Sequence, residues 1–294
     1  MKSTSKPNRT ASILAATVLI MLLTSLSSCT SMQSGQSFVA QSDGITYRFE
    51  VILSHHNYVR VAPVSGPEAV VGAITLPSTI RFEDHSYVVS QVAANAFEGY
   101  TGITSLTLPP TISVIEPSAF RNCQSLTSIS VSTSISTIGD YAFYGCAQLQ
   151  SFHFVNSISS LGQGCFAGCS SLSSLNLPST ITAIPDRSFC GCSSLPSLQL
   201  PATIMHIGPN AFAHCSGLQS IAMDRSVQQI GDSAFFDCDS VQSLSCLTPT
   251  PPLCGVATFG NMSTTIPVTV MMSSLASYQA APGWNRFSNY VGTY

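Results

Sequence analysis

The chain has 294 residues, 45 % hydrophobic and only 8 % charged, with a formal net charge of −3. After residue 28 there is no lysine, and seven arginines stand against thirteen acids, a formal charge of −6. No basic stripe remains to hold a phosphate backbone, which excludes nucleic acid as a partner, while the apolar fraction suffices for one sizeable core.

Lys2, Lys6 and Arg9 precede an apolar run from Ile13 to Leu23, too short to span a bilayer and flanked like a secretory signal. Leu26-Ser27-Ser28-Cys29 follows and resembles the lipobox of bacterial lipoproteins. The resemblance implies a lipoprotein signal peptide over residues 1–28, cleavage before Cys29, and a lipid on its thiol that holds the mature chain to a membrane without a transmembrane helix. The implied location is the outer membrane, facing the cell surface or the periplasm. Residues 29–40, rich in small uncharged residues, read as a flexible tether.

Residues 41–69 form a β cap in this reading. Ile45 to Leu53 and Tyr58 to Val61 alternate as strands around a turn at Ser54-His55-His56-Asn57, a hairpin that would cover the open edge of whatever follows. Glu83, Asp84 and His85 lie in an insertion between Arg81 and Val89. They read as a solvated hairpin tip rather than a metal or catalytic site, and His55-His56 reads the same way.

From residue 70 to 260 the chain repeats. Phe97, Phe120, Phe143, Phe166, Phe189, Phe212 and Phe235 stand 23 residues apart, and three residues after each comes Tyr100, Cys123, Cys146, Cys169, Cys192, Cys215 or Cys238. Leucine, isoleucine and valine columns stay in phase behind them, so each unit carries about six inward side chains that it cannot bury alone. Segments such as Ser105-Leu106-Thr107-Leu108-Pro109 alternate with the period of a half-buried strand, expected to stack in parallel register about 4.8 Å apart. A shorter Ile-x-x-Ile strand follows, then Gly-Asp-Tyr-Ala-Phe at 139–143, where the glycine turns the chain and the aspartate would cap a single helical or 3₁₀ turn. The expected fold is a mostly β repeat solenoid: 23-residue coils of one parallel strand, one short second strand and a helical turn.

This pattern, A-F-x-x-C-x-x-L-x-x-I-x-L-P-x-x-I-x-x-I-G, resembles the BspA-like leucine-rich repeat family of bacterial surface proteins. The resemblance implies an envelope or cell-surface protein that contacts matrix proteins, other cells or further ligands.

After Phe235 the phase slips by one residue at Phe259, and Leu247 to Pro252 forms a rigid exit. Residues 261–294 read as a C-terminal cap with a strand near Ile266 to Val270 and a short helix around Ser274 to Ala280. Trp284 is either a sugar-stacking platform or the seal of the last coil, and is read as the seal. The six column cysteines, Cys123, Cys146, Cys169, Cys192, Cys215 and Cys238, are expected to be buried reduced thiols, because equivalent Cβ atoms on stacked coils run parallel at strand spacing. Cys246 and Cys254, at the exit, are the pair to watch for a disulfide.

No nucleophile elbow, recurring carboxylate pair or metal-ligand spacing stands out, so the protein is read as no enzyme, with no cofactor and no metal. The outward strand face carries a serine in every coil: Ser105, Ser128, Ser151, Ser174, Ser197, Ser220 and Ser243. Beside it runs a variable column of Thr107, Ser130, His153, Asn176, Gln199, Ala222 and Ser245. The serines either pack a crowded sheet or bind. From these, Ser105, Ser128, Ser151, His153, Ser174, Asn176, Ser197, Gln199 and Ser220 form the candidate site for a protein or glycan ligand. The reading is a monomeric binding or adhesion lipoprotein, with a structural envelope protein or a carbohydrate-capture component as alternatives.

Overall fold

Alternation of inward and outward residues makes the first sheet. β1 (Ser37–Ser42) pairs antiparallel with β2 (Ile45–Leu53), and β2 with β3 (Tyr58–Pro63), in a computed structural model that describes residues 32–53, 56–131 and 133–294. The signal segment, Cys29 and His55 lie outside the described residues. Phe38, Tyr47, Phe49, Val51, Val59 and Val61 face the core. The tether expected to reach residue 40 ends sooner, because Phe38 stacks on Phe82 with ring centroids 4.4 Å apart and draws residues 37–42 into the sheet. The chain then forms β4 (Gly72–Thr75), β5 (Thr79–Phe82) and β6 (His85–Val92). β5 and β6 make an antiparallel hairpin with Glu83-Asp84 at its tip, and β6 lies parallel to β3, joining the cap to the coils. Arg60 fastens this junction by reaching Glu50 at 2.8 Å and Glu116 at 3.2 Å.

Two parallel ladders run along the coils. The main ladder begins with β4 and continues through Ile103–Thr107 and Ser128–Ser130; from Ser105 opposite Ser128 onward partners stand one 23-residue coil apart, whereas the inserted hairpin puts Thr75 opposite Thr107, 32 residues on. The short second strands, Val114–Ile115, Thr137–Ile138 and Ser160–Leu161, extend the sheet of β6. Both ladders then stop. They resume at Ala183–Ile184 on one side and Ser197–Gln199 on the other.

Strand formation in every coil, as the alternation predicts, therefore fails over two coils. The interrupted stretch begins at Phe152 and Phe154, rings in columns that elsewhere hold mostly aliphatic residues. Phe152 lies 5.6 Å from the Phe143 ring and 4.9 Å from Phe166, and Phe154 lies 5.4 Å from Phe166 and 6.3 Å from Phe189. The phenylalanine stack itself runs on through the gap, with Phe143–Phe166 at 5.2 Å and Phe166–Phe189 at 5.7 Å.

The corner preceding each column cysteine is not the aspartate-capped helical turn expected from Gly139-Asp140. It is three linked tight turns: Ala142 donates to the Gly139 carbonyl (3.3 Å), Tyr144 to Tyr141 (3.1 Å) and Cys146 to Phe143 (3.2 Å). The third residues of the first and last turns, Tyr141 and Gly145, have φ of 55° and 71°, the positive value that such turns demand. The same two positions are left-handed in the neighbouring coils, at Ser118 and Asn122, Arg187 and Gly191, and Asn210 and His214. Asp140 bonds forward instead, its carboxylate accepting the Gln163 N–H of the next coil at 2.8 Å; Asp232 does the same for Val256 at 2.7 Å.

The main ladder does not end at 260. Pro267–Met271 and Asn289–Thr293 add two more parallel strands, with the short helix α1 (Leu275–Ala280) between them. Phe259 stacks on Phe235 at 5.8 Å despite its slipped phase. Trp284 is fully buried, edge-on to Phe259 at 5.0 Å, and its indole N–H donates to the Pro252 carbonyl at 2.9 Å, so it seals the last coil and offers no sugar platform.

Candidate ligand-binding face

The main strands turn their Leu and Ile side chains inward and therefore present the intervening residues to solvent. Ser128, Ser151, Ser174, Ser197 and Ser243 are exposed, with Ser105 and Ser220 half-buried. Register brings them into two groups: Ser105, Ser128 and Ser151 in one, Ser197, Ser220 and Ser243 in the other. Ser174 lies between, where the ladder is interrupted. His153 and Asn176, both exposed, stand in the same interrupted stretch, whereas Gln199 is paired in register with Ala222 and Ser245.

Several hydroxyls elsewhere on the coils are committed to the backbone. Ser113 donates to the Ser90 carbonyl (3.3 Å), Ser136 to Ser113 (3.1 Å), Thr127 to Thr104 (2.9 Å) and Thr203 to Ile181 (2.9 Å), each linking one coil to the previous one. Among the described residues the seven face serines make no such side-chain bond, so their hydroxyls stay open to solvent or ligand. No charged residue belongs to either column of the face.

Behind the face, the cysteine column is buried and reduced. All ten described cysteines are free, including Cys246 and Cys254, so no disulfide closes the exit. The thiols of the column are not without polar partners. Each thiol points at the phenylalanine carbonyl of the preceding coil: Cys123 to Phe97 (3.1 Å), Cys146 to Phe120 (3.2 Å), Cys169 to Phe143 (3.3 Å) and, across the interruption, Cys192 to Phe166 (3.5 Å). Burial pushes these thiols up, Cys123 and Cys238 to about 12 and the four between them well above the ordinary 9.0. They are inert at neutral pH.

A second concave region was missed by the sequence reading. An open groove of about 600 Å³ runs along the later second strands, lined by Asp186, His206, Gly208, Asp232 and Leu253. Its floor is the glycine column, which the sequence carries at Gly139, Gly162, Gly208 and Gly231. A side chain there would collide with the coil behind, a Cβ at Gly231 falling 2.5 Å from the Pro209 nitrogen. Among the described residues no cluster of His, Cys, Asp or Glu is placed to hold a metal, and no helix is long and apolar enough to cross a membrane.

Stacked 23-residue coils with a parallel strand face, a stacked phenylalanine core and neutral outward columns define a leucine-rich repeat solenoid. The chain belongs to the BspA type leucine rich repeat family, whose profile matches six copies over residues 90–194 and 160–259. The crystal structure of a leucine-rich repeat protein from T. pallidum is similar, at 23 % identity and TM-score 0.52, over 73 % of this chain and 86 % of that one. Another from Bacteroides ovatus matches at 22 % identity and TM-score 0.56, over 86 % of this chain and 76 % of that one. These two likenesses concern the fold. No curated protein matches the chain.

Proposed function

We propose that the protein is a non-catalytic binding or adhesion lipoprotein of the bacterial envelope, held by a lipid on Cys29 and presenting its main strand face to a protein or glycan ligand. The observation that carries this reading is the row of uncommitted serine hydroxyls. Several other hydroxyl columns spend donors on coil-to-coil bonds, while this column keeps all of its own on a neutral, largely solvent-facing surface beside residues that change from coil to coil. Repeat scaffolds bind through such extended faces, and membership in a leucine-rich repeat family supports a binding scaffold over an enzyme.

A partner held there is bound by hydroxyl and amide hydrogen bonds, so its affinity varies little with salt. The test combines protease shaving of intact cells with a pull-down and a glycan array using the mature protein. Capture of a partner that is lost when His153, Asn176 and Gln199 are all changed to alanine supports the reading. Equal binding by the triple variant, or collapse of affinity between low and physiological salt, moves the site elsewhere. Labelled palmitate incorporated equally by wild type and Cys29→Ala would refute the anchor.

A further inference from the structure

Met32, the first described residue, is already part of the fold. Its side chain packs against the core and its N–H donates to the Tyr87 hydroxyl at 3.4 Å. Just beyond, Ser34 donates to the Ile52 carbonyl (3.2 Å), Gly35 to Val51 (2.7 Å), and Gln36 accepts from Val51 (2.8 Å). Cys29 is three residues before Met32, a span of at most about 11 Å when fully extended. A lipid on Cys29 thus starts within that distance of the N-terminal cap, and no long tether separates cap from bilayer.

The cap surface suits that neighbour. Among the described residues, Val39, Leu53, Tyr58, Val64 and Val71 are exposed large hydrophobics, whereas between Val71 and Leu253 the only other one is Tyr144. Across the cap sheet Val39 stands opposite Arg48, and Arg48 opposite Ala62. Phe38, Phe49 and Val61 alternate with them and are buried, so Val39, Arg48 and Ala62 share the outward face, and Val64, two residues on, joins them. Arg60 on this face is committed to two carboxylates, Glu50 and Glu116, which together exceed its charge by one, but Arg48 makes no ion pair among the described residues. Exposed valines around an unpaired guanidinium match the boundary of an anionic bilayer, where apolar side chains enter the acyl edge and arginine meets lipid phosphate.

We propose that the outward face of β1, β2 and β3 docks on the phosphate-bearing bilayer that holds the Cys29 lipid, with Val39 and Val64 at the acyl edge and Arg48 on headgroup phosphate. The proposal rests on the lipid-anchor reading. It is tested with the full acylated chain in vesicles of phosphatidylcholine and phosphatidylglycerol, with and without brominated acyl chains. Reporter tryptophans are placed by Val39→Trp and Val64→Trp in the cap and by Val256→Trp far along the chain, all three sites being exposed and Trp284 giving a common buried background. The expected result is that every variant floats with the vesicles, that bromine quenches the two cap tryptophans and not the third, and that adding Arg48→Ala weakens the quenching. Flotation with equal or absent quenching at all three sites overturns the docking while leaving the anchor intact. Failure of every variant to float overturns the anchor and the docking with it.

Discussion

Alkali should unfold this protein abruptly, because its thiol column cannot ionise in place. Six column cysteines, Cys123, Cys146, Cys169, Cys192, Cys215 and Cys238, are fully buried. Burial raises every one of them above the ordinary 9.0, to about 12 for Cys123 and Cys238 and well above 9.0 for the rest. A raised folded value means that below pH 9 both states hold the proton and stability is complete. Above it the unfolded chain releases protons that the folded chain keeps, and stability falls as pH climbs toward the folded values. Each proton so retained costs about 1.4 kcal/mol per pH unit. Six together remove about 8 kcal/mol per unit, and Cys165 and Cys254, likewise pushed up to about 12 by burial, remove about 3 more, against a typical total of about 5–15 kcal/mol. Unfolding is therefore complete about one to two units above pH 9. No lysine follows residue 28 to blur the transition, and Tyr47 and Tyr290, each pushed by burial to about 12, steepen it further on. The assay is the urea midpoint by circular dichroism at stepped pH, for wild type and for Cys169→Ala with Cys192→Ala. The double variant should lose about a fifth to a quarter of the slope, because Cys165, Cys190, Cys246 and Cys254 are raised by burial as well. A midpoint that stays flat through pH 10, or a slope indifferent to the two substitutions, refutes the reasoning.

Cys169→Ser should cost about 1 kcal/mol and no more than Cys169→Ala, because the Phe143 carbonyl that now takes the thiol can accept a hydroxyl; urea titration at pH 7 with serine clearly the worse of the two would show that the carbonyl does not accept. Gly231→Ala should destabilise by about 1–3 kcal/mol through its clash with Pro209. Gly66→Ala, which meets nothing within 4 Å, should be neutral by the same titration. The His153, Asn176 and Gln199 triple alanine variant should keep its melting temperature, since all three side chains are exposed, and a large drop would mean that they pack.

Much of the fold was legible because the columns are strict. Phenylalanine every 23 residues fixed the stack, and rings such as Phe120 and Phe143 do lie nearly parallel, 3° apart. What the residues concealed was backbone conformation. The left-handed positions hold Tyr141, Arg187, His214 and Asp237 as readily as glycine, so no residue type announces them, and Asp140 looked like a helix cap when it serves the next coil. The early end of the tether was hidden for a related reason: Phe38 is a lone aromatic in a small polar stretch, and its partner Phe82 lies 44 residues later. The serine face was visible as a column, but whether its hydroxyls were spent on the backbone depends on the direction each points, which spacing does not encode.

The interruption of both ladders shows where the cohesion of the coils resides. Between the coil of Phe166 and that of Phe189 neither the main nor the second strands pair, yet the corner bonds continue: Gly164 donates to Asp186 (2.8 Å), Phe166 to Ser188 (2.9 Å) and Gly168 to Cys190 (2.7 Å). The corner also carries the phenylalanine stack and the thiol-to-carbonyl contacts, and its inward phenylalanine and cysteine columns admit almost no variation in sequence. Strands, by contrast, can lose their ladder without breaking the stack, because in a repeat protein each coil needs only a sufficient interface with its neighbours. The same division frees the outward strand residues from structural duty. His153 and Asn176 stand in the stretch where the main ladder is absent, and both side chains are exposed without disturbing the stack of coils behind them.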